Sequence, residues 1–211
     1  MDKFYKRLSQ YNSDLIKNES SLPEWFLQYT SPKPPIYWKI VGQMLYDENR
    51  DLKIVEVGAG CGDVTSLLCW MGFKIVTAIE RDPHLVKVVL DKIDSLGGSD
   101  VVVLNALYPI KLDFKPDILL QVNCIYSDCC IDKDSFLKSI LESYKYNGIP
   151  KVFLFEAIDE SYQGDNPTFP TFVRIGLKDI KELFPNCKIF KQTTYKYPTN
   201  RITKVMYKIC V

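Results

Sequence analysis

The sequence has a single histidine, almost no net charge and no long apolar run. His84 is its only histidine and none of its seven cysteines forms a C-x-x-C pair, so we expect no metal site. The 27 basic and 26 acidic residues leave a net charge of +1, which argues against a general electrostatic attraction to nucleic acid or membranes. No apolar stretch approaches the roughly 20 residues of a membrane helix, so we expect no membrane association.

The 10 glycines and 12 prolines are scattered without a period, which excludes collagen-like and low-complexity chains. Hydrophobic residues make up 46% of the 211 positions, which is enough to bury a core and excludes disorder as the main state. We therefore predict one globular domain over residues 34–211. Residues 1–33 mix aromatic and charged side chains, and we interpret them as an N-terminal cap or lid.

The cysteines indicate a cellular compartment. Their number is odd, their spacing fits no disulfide framework, and several lie in apolar runs, as buried free thiols do. Residues 1–10 are charged and polar, unlike a secretory signal. Free thiols are typical of a reducing environment, so we predict a cytoplasmic protein.

Strands alternate with helices along the chain. The predicted strands span residues 53–57, 74–79, 101–104, 117–122 and 151–155, and a closing antiparallel pair spans 187–195 and 202–211. The predicted helices span 36–46, 62–71, a segment after Asp82-Pro83, 132–146 and 177–184. This order predicts an α/β fold: a Rossmann-like, seven-stranded, mostly parallel sheet with helices on both faces and a C-terminal antiparallel strand pair.

In such a sheet, ligands bind at the carboxyl ends of the parallel strands, and the residues there are distinctive. Gly58, Gly60 and Gly62 follow the first strand, with Glu56 two residues before them. Glu80 ends the second strand, 22 residues beyond Gly58, where a carboxylate can accept hydrogen bonds from ribose hydroxyls. A carboxylate beside the turn would repel a pyrophosphate, which argues against a dinucleotide-dependent oxidoreductase and favours a cationic ligand.

The segments Glu56-Val57-Gly58-Ala59-Gly60-Cys61-Gly62, Ala78-Ile79-Glu80-Arg81-Asp82-Pro83 and Leu104-Asn105-Ala106 resemble the class I S-adenosylmethionine-dependent methyltransferases over residues 34–211. The resemblance implies S-adenosylmethionine as cofactor. It implies that Glu56 lies near the methionine amino group, that the glycine turn lies beneath the methionine portion, and that Glu80 binds the ribose. Asn105 stands where the family often has Asp beside the adenine. The full set of cofactor-binding residues implied is Glu56, Gly58, Ala59, Gly60, Gly62, Glu80, Arg81, Asn105, Ala106 and Asn123.

The sequence supports two hypotheses about the methyl acceptor. After the fourth strand, Asn123-Cys124-Ile125-Tyr126 resembles the Asn-Leu-Pro-Tyr segment of rRNA adenine dimethylases, although it lacks the proline. This resemblance implies adenine methylation in RNA or DNA. Asn123 would then hydrogen-bond the base and Tyr126 would stack on it. The other hypothesis, which we slightly favour, is a small-molecule or protein acceptor. The short helix over residues 177–184 and the closing strand pair resemble those of many methyltransferases that act on small acceptors. A third hypothesis is a noncatalytic interaction module that retains the cofactor fold.

Catalysis would consist mainly of aligning the acceptor with the activated methyl group, so a base is needed only for some acceptors. Asp128, Glu156 and Asp159 are the acids near the strand ends, and each could equally be a solvated loop acid, so no catalytic base is assigned.

The C-terminal region is basic, with eight basic and two acidic residues from Gly176 onward. We interpret it as the solvated face of a hairpin; the alternative is a patch that faces the phosphates of a nucleic acid.

Overall fold

The computed structural model describes residues 1–19, 21–31, 33–98, 100–124, 130–167, 169–196 and 202–211. The α-helices in these ranges are α1 (Asp2–Asn18), α2 (Ile36–Met44), α3 (Asp63–Trp70), α4 (Pro83–Leu96), α5 (Lys133–Lys145) and α6 (Leu177–Leu183), with 3-10 helices at Glu24–Thr30 and Thr171–Val173. The strands are β1 (Lys53–Val57), β2 (Ile75–Glu80), β3 (Val101–Asn105), β4 (Ile118–Gln121), β5 (Val152–Asp159), β6 (Arg174–Ile175), β7 (Lys188–Lys196) and β8 (Ile202–Cys210).

The strands form a single sheet in the order β3-β2-β1-β4-β5-β8-β7. The strands from β3 to β5 are parallel, and β8 runs antiparallel to both β5 and β7. The predicted fold class is thereby confirmed. One element was not predicted: the two-residue strand β6 pairs with the end of β5 and lies off this path. The strand order reverses between β1 and β4, which opens a crevice at their carboxyl ends.

Alternate residues of each central strand pack on opposite faces of the sheet. Ile54, Leu120 and Leu154 belong to a core shared with α1, α2 and α3, whereas Val55 and Phe153 belong to a second core shared with α5 and α6. Because helices cover both faces, the strands are apolar on both sides, which explains the nearly continuous apolar runs in the sequence.

The N-terminal residues pack against the main core. Phe4 and Leu8 of α1 and Phe26 of the 3-10 helix are buried in the same cluster as Trp38 of α2. The 17-residue α1 was not predicted. None of the helices in the described ranges combines the length and apolarity that a bilayer crossing requires.

Two expectations about charged residues are corrected. Glu156 and Asp159 were placed after the fifth strand, but β5 continues to Asp159 because its ladder with β8 runs on to the pairing of Ile158 with Lys204. Both acids are buried at 2% exposure, so neither is a solvated loop acid.

The basic hairpin is also not simply a solvated face. Lys191 lies 2.6 Å from Asp159, Lys208 lies 2.6 Å from Glu48, and Lys204 lies 3.9 Å from Glu156. Lys191 and Lys204 thus reach acids of β5, and Lys208 reaches Glu48 in the segment between α2 and β1.

Candidate functional site

The glycine turn after β1 is built from left-handed backbone. Gly58, Gly60 and Gly62 have φ values of 68°, 57° and 76°, a region that residues with a side chain rarely adopt. The turn closes on β2, since the N–H groups of Gly58 and Ala59 donate to the Ile79 carbonyl at 2.9 and 3.1 Å. Gly62 then caps α3, so the turn leads directly into a helix N-terminus.

Neighbouring segments approach this turn closely. A Cβ on Gly58 would lie 2.6 Å from the Cβ of Cys124, in the segment after β4. A Cβ on Gly60 would lie 3.3 Å from Cη2 of Trp25, which the N-terminal 3-10 helix carries. The turn therefore lies between the end of β4 and the N-terminal segment. Trp25 was not among the predicted site residues, although its position in an aromatic cluster was a signal.

The Glu80 side chain connects the end of β2 to the glycine turn. Its carboxylate, which is 7% exposed, accepts hydrogen bonds from the N–H of Gly60 at 2.8 Å and from the N–H of Asp82 at 3.0 Å. The end of β2 and the glycine turn are thus held together by one carboxylate, at the place where the resemblance puts a ribose.

Glu56 lies inside β1 and is 3% exposed. One of its oxygens accepts a hydrogen bond of 2.5 Å from the Thr65 hydroxyl of α3. The pKa of Glu56 is raised to about 8, mainly by burial; the bond from Thr65 opposes the rise, and the negative charges of Asp63 and Glu80 add to it. Glu56 and Glu80, two acids beside one turn, favour a ligand that carries positive charge.

A buried ion pair stabilises the residue that follows the glycine turn. Lys92 of α4 lies 2.7 Å from Asp63, the first residue of α3, with side-chain exposures of 0% and 6%. Asn12 of α1 donates a second hydrogen bond, of 3.1 Å, to the same Asp63 oxygen. The N-terminal segment is thereby tied to the residue that follows the turn. None of this network was found from the sequence, because no local pattern marks it.

Asn105 ends β3 at the rim of the crevice. Its side-chain amide donates to the carbonyls of Glu80 and Arg81 at 3.0 and 2.9 Å, and the N–H of Ala106 also donates to Glu80, at 3.0 Å. The amide group that the resemblance puts beside the adenine is therefore bonded to the β2 backbone, and pairing with a base would use Oδ1. Arg81 is exposed beside it.

Asn123 follows β4 in a left-handed conformation, with φ of 56°. Its Oδ1 accepts a hydrogen bond of 2.5 Å from the Lys204 ammonium of β8. The next residue, Cys124, donates its thiol to the Val57 carbonyl at 3.0 Å, which fixes this segment to the end of β1. Tyr126, Asp128 and Cys129 lie outside the described residues.

A second buried acid lies beyond Asn123. Glu156 of β5 accepts a hydrogen bond from the Thr194 hydroxyl of β7, and Lys204 lies on its other side. Burial raises the pKa of Glu156, which Lys204 and Thr194 oppose, and burial lowers the pKa of Lys204. Thr194 and Lys204 were not singled out from the sequence, because each occupies an ordinary position in an alternating strand.

The predicted cofactor-binding residues thus gather at the carboxyl ends of β1 to β4. Glu56, the glycine turn and Glu80 are in mutual contact or separated by one side chain, and Asn105 and Asn123 flank them on either side. In the described part of the chain, no group of three or more histidine, cysteine, aspartate or glutamate side chains is arranged to hold a metal ion.

Comparison with solved structures identifies the fold. The N-methyltransferase NodS from Bradyrhizobium japonicum WM9 aligns with a TM-score of 0.63 at 10% identity, over 82% of this chain and 93% of that one. The magnesium protoporphyrin IX methyltransferase ChlM from Synechocystis PCC 6803, solved with bound S-adenosylmethionine, aligns with a TM-score of 0.60 at 13% identity, over 82% of this chain and 77% of that one. The chain shares the fold of these methyltransferases, which is the fold that its motifs implied.

Comparison with curated sequences gives a shorter match. The probable ribosomal RNA small subunit methyltransferase A of Methanosarcina barkeri (strain Fusaro / DSM 804) is 35% identical over 74 residues, which are 35% of this chain and 24% of that protein. The corresponding protein of Methanosarcina acetivorans is 36% identical over 74 residues. The chain spans about a quarter of the length of the curated relatives that it matches. No protein-family model matches it.

Proposed function

We propose that the chain is an S-adenosylmethionine-dependent methyltransferase. The proposal rests on the hydrogen bond from the Gly60 N–H to the Glu80 carboxylate, beside the buried Glu56. This arrangement fits the cofactor by its chemistry, because the ligand is a cation without phosphate and carries a ribose diol and an ammonium group. Acids, rather than bare amide donors, are the groups that suit both.

In this proposal, Glu80 binds the ribose hydroxyls, Glu56 binds the ammonium group, and the glycine turn supports the methionine portion. When bound, the cofactor supplies an activated methyl group. The chain's own contribution is to orient the acceptor and to exclude water, and alignment of this kind can lower a barrier by ~7–11 kcal/mol. Trp25 and the N-terminal segment lie against the turn and are placed to exclude water from it.

Isothermal titration with S-adenosylmethionine, with NAD as the control ligand, tests the proposal. Binding of S-adenosylmethionine alone is the expected result. Binding of NAD alone would indicate an oxidoreductase, and binding of neither would indicate a noncatalytic module. Transfer of a labelled methyl group to metabolite, protein and RNA fractions then locates the acceptor.

We favour a small-molecule or protein acceptor. Lys191, Lys204 and Lys208 of the basic hairpin are paired with acids, which weakens a phosphate-facing role for them. Asn123 is bonded to Lys204 rather than placed free beside the turn. These contacts support an enclosed acceptor over a nucleic-acid strand.

Adenine methylation in RNA is the second candidate. It is favoured by the 74-residue match to ribosomal RNA methyltransferases and by the position of Asn123 two residues after the end of β4. Labelling of the RNA fraction in the transfer assay would support it.

Two further features of the proposal concern organisation and location. Residues 1–33 act as a cap on a methyltransferase domain formed by residues 34–211, as the contact of Trp25 with the turn supports. The protein acts in the cytoplasm; free thiols at Cys61, Cys69, Cys124, Cys130, Cys187 and Cys210 support this location.

A further inference from the structure

A buried polar cluster lies beyond the glycine turn, and its acid, Glu156, is not among the cofactor-binding residues inferred above. It consists of Asn123, Glu156, Thr194 and Lys204, and we call it the Glu156 cluster. Glu156 is 2% exposed, and its Oε1 accepts a hydrogen bond from Thr194. Its Oε2 is buried, lies 3.9 Å from the Lys204 ammonium, and accepts no hydrogen bond from the described residues. A buried carboxylate oxygen without a donor is costly, so it indicates a site that a donor from a ligand would complete.

The register of the sheet places this cluster beside the glycine turn. Glu56 pairs with Leu120 of β4, and Leu120 pairs with Leu154 of β5. Glu156 stands two residues beyond Leu154, so its side chain is on the same face of the sheet as Glu56. Given the strand spacing, Glu156 lies about 10 Å to the side of Glu56 and about 7 Å farther toward the carboxyl ends. It therefore lies on the cofactor's side of the sheet but beyond the cofactor contacts.

Aromatic rings of the segment after β5 border the cluster. The Phe169 ring lies 5.6 Å from the Lys204 ammonium and packs edge-on against Tyr162, at 5.8 Å between ring centroids. Arg174 fixes this loop by donating to the carbonyls of Tyr162 and Phe169 at 2.8 and 3.1 Å. An aromatic ring next to the Lys204 ammonium, held by a fixed loop, favours a flat ligand.

The charges restrict the ligand further. Glu156 would repel a carboxylate, and Lys204 would repel a cation, so a neutral ligand is favoured. Its N–H would donate to Glu156 Oε2, and Lys204 can donate to an acceptor atom on the same ring. Because Glu156 is 2% exposed and Lys204 is 17% exposed, the ligand must be small enough to enter beneath the surrounding loops.

We propose that the Glu156 cluster binds the methyl acceptor, and that this acceptor is a small, neutral heteroaromatic compound that presents an N–H to Glu156. The inference rests on the proposed methyltransferase function. Glu156, Lys204 and Thr194 are then the residues that determine acceptor specificity.

The test is a titration of benzimidazole, a neutral ring with an N–H beside an acceptor nitrogen, into protein saturated with S-adenosylhomocysteine. Saturation keeps the probe out of the cofactor site. Benzoate is the matched anionic probe, and a short single-stranded RNA is the third ligand. Benzimidazole is expected to bind the wild-type protein, and benzoate is not.

Glu156→Gln is expected to weaken benzimidazole binding by roughly ten- to hundred-fold, because it removes a charge-assisted hydrogen bond. Glu142→Gln is the matched control, since Glu142 is an exposed acid on α5 with 66% side-chain exposure. The double variant Glu156→Gln with Lys204→Met removes both charges and keeps the protein folded if the single variant is unstable. Affinity for S-adenosylhomocysteine should stay unchanged in the two single variants.

The outcomes separate this inference from the proposed function. A wild-type protein that fails to bind S-adenosylhomocysteine overturns the proposed function. Normal S-adenosylhomocysteine binding with no benzimidazole binding, or with equal benzimidazole binding in the Glu156 variants, overturns the acceptor assignment alone. Binding of benzoate as tightly as benzimidazole, or RNA binding that is lost in Glu156→Gln, also overturns the small neutral acceptor.

Discussion

At the scale of single residues, Glu56 links ligand binding to protonation. Its pKa of about 8 means that the carboxyl group is mostly protonated in the free protein at pH 6 to 7.5. A cationic ligand binds the ionised form, so binding must release this proton.

The affinity for S-adenosylmethionine should therefore rise with pH, by up to about tenfold per unit between pH 6 and 7.5, while the ammonium group of the ligand stays charged. Titration calorimetry across this range measures it. Glu56→Gln should bind more weakly and show no such slope. An identical slope in the variant would assign the proton to another group.

The raised pKa of Glu56 also affects the stability of the folded protein. The folded-state pKa of Glu56, about 8, is above its ordinary value of 4.5, so the folded state holds the proton more tightly than the unfolded state does. The free energy of unfolding should fall as pH rises from about 5 to about 8, by at most about 1.4 kcal/mol per pH unit. Urea unfolding of Glu56→Gln should lack this contribution.

Glu80 offers a second test at this scale. Glu80→Ala removes the group proposed to bind the ribose and also frees the N–H of Gly60. A hydrogen bond to a charged group contributes ~1.5–3 kcal/mol, so the dissociation constant for S-adenosylmethionine should rise by roughly 10- to 100-fold.

The neighbouring Asp82 supplies the control for Glu80. Asp82 caps α4 by accepting from the His84 N–H at 2.9 Å, so Asp82→Ala should cost about 1 kcal/mol of stability. It should leave the affinity for S-adenosylmethionine unchanged. Equal losses of affinity in both variants would remove Glu80 from the proposed site.

At the scale of elements, the Lys92–Asp63 pair joins α4 to the start of α3, and Asn12 of α1 donates to the same Asp63 carboxylate. Breaking a buried pair leaves one charge without a partner, which costs more than replacing both members.

Asp63→Ala should therefore lower the free energy of unfolding by about 3–5 kcal/mol. The double variant Asp63→Ala with Lys92→Met should recover most of this loss, because no buried charge is left unpaired. Urea unfolding of both variants measures the difference. A double variant as unstable as the single one would show that the ion pair itself is favourable.

The elements also show what the sequence could predict. Strands β1 to β4 were placed within two residues, because an apolar run bounded by turn residues is a local signal. Helix α1 was missed because its buried stripe of Phe4 and Leu8 includes the polar Asn12, whose amide binds distant groups. The burial of Glu156 was missed for the same reason, since Thr194 and Lys204 reach it from another part of the chain.

At the scale of the whole molecule, the N-terminal segment belongs to the main core. Phe4, Tyr5, Leu8 and Phe26 are each at most 4% exposed and pack with α2 and α3. Removing them would expose a large apolar surface on one face of the sheet.

A chain of residues 34–211 alone should consequently unfold at a lower temperature than the full chain and bind S-adenosylmethionine more weakly. Thermal unfolding by circular dichroism and titration calorimetry measure the two effects. A fragment that keeps both properties would show that residues 1–33 are dispensable for the fold and for the cofactor site.

The strand β7 has a consequence for solubility. It forms one edge of the sheet, is nine residues long, and carries Lys188, Lys191 and Lys196. Its pairing with β8 is also irregular between Thr193 and Lys196. Lysines and bulges on an edge strand disfavour pairing with another chain. The lysines of the basic C-terminal region thus disfavour aggregation through the edge of the sheet that β7 forms, independently of any role in ligand binding.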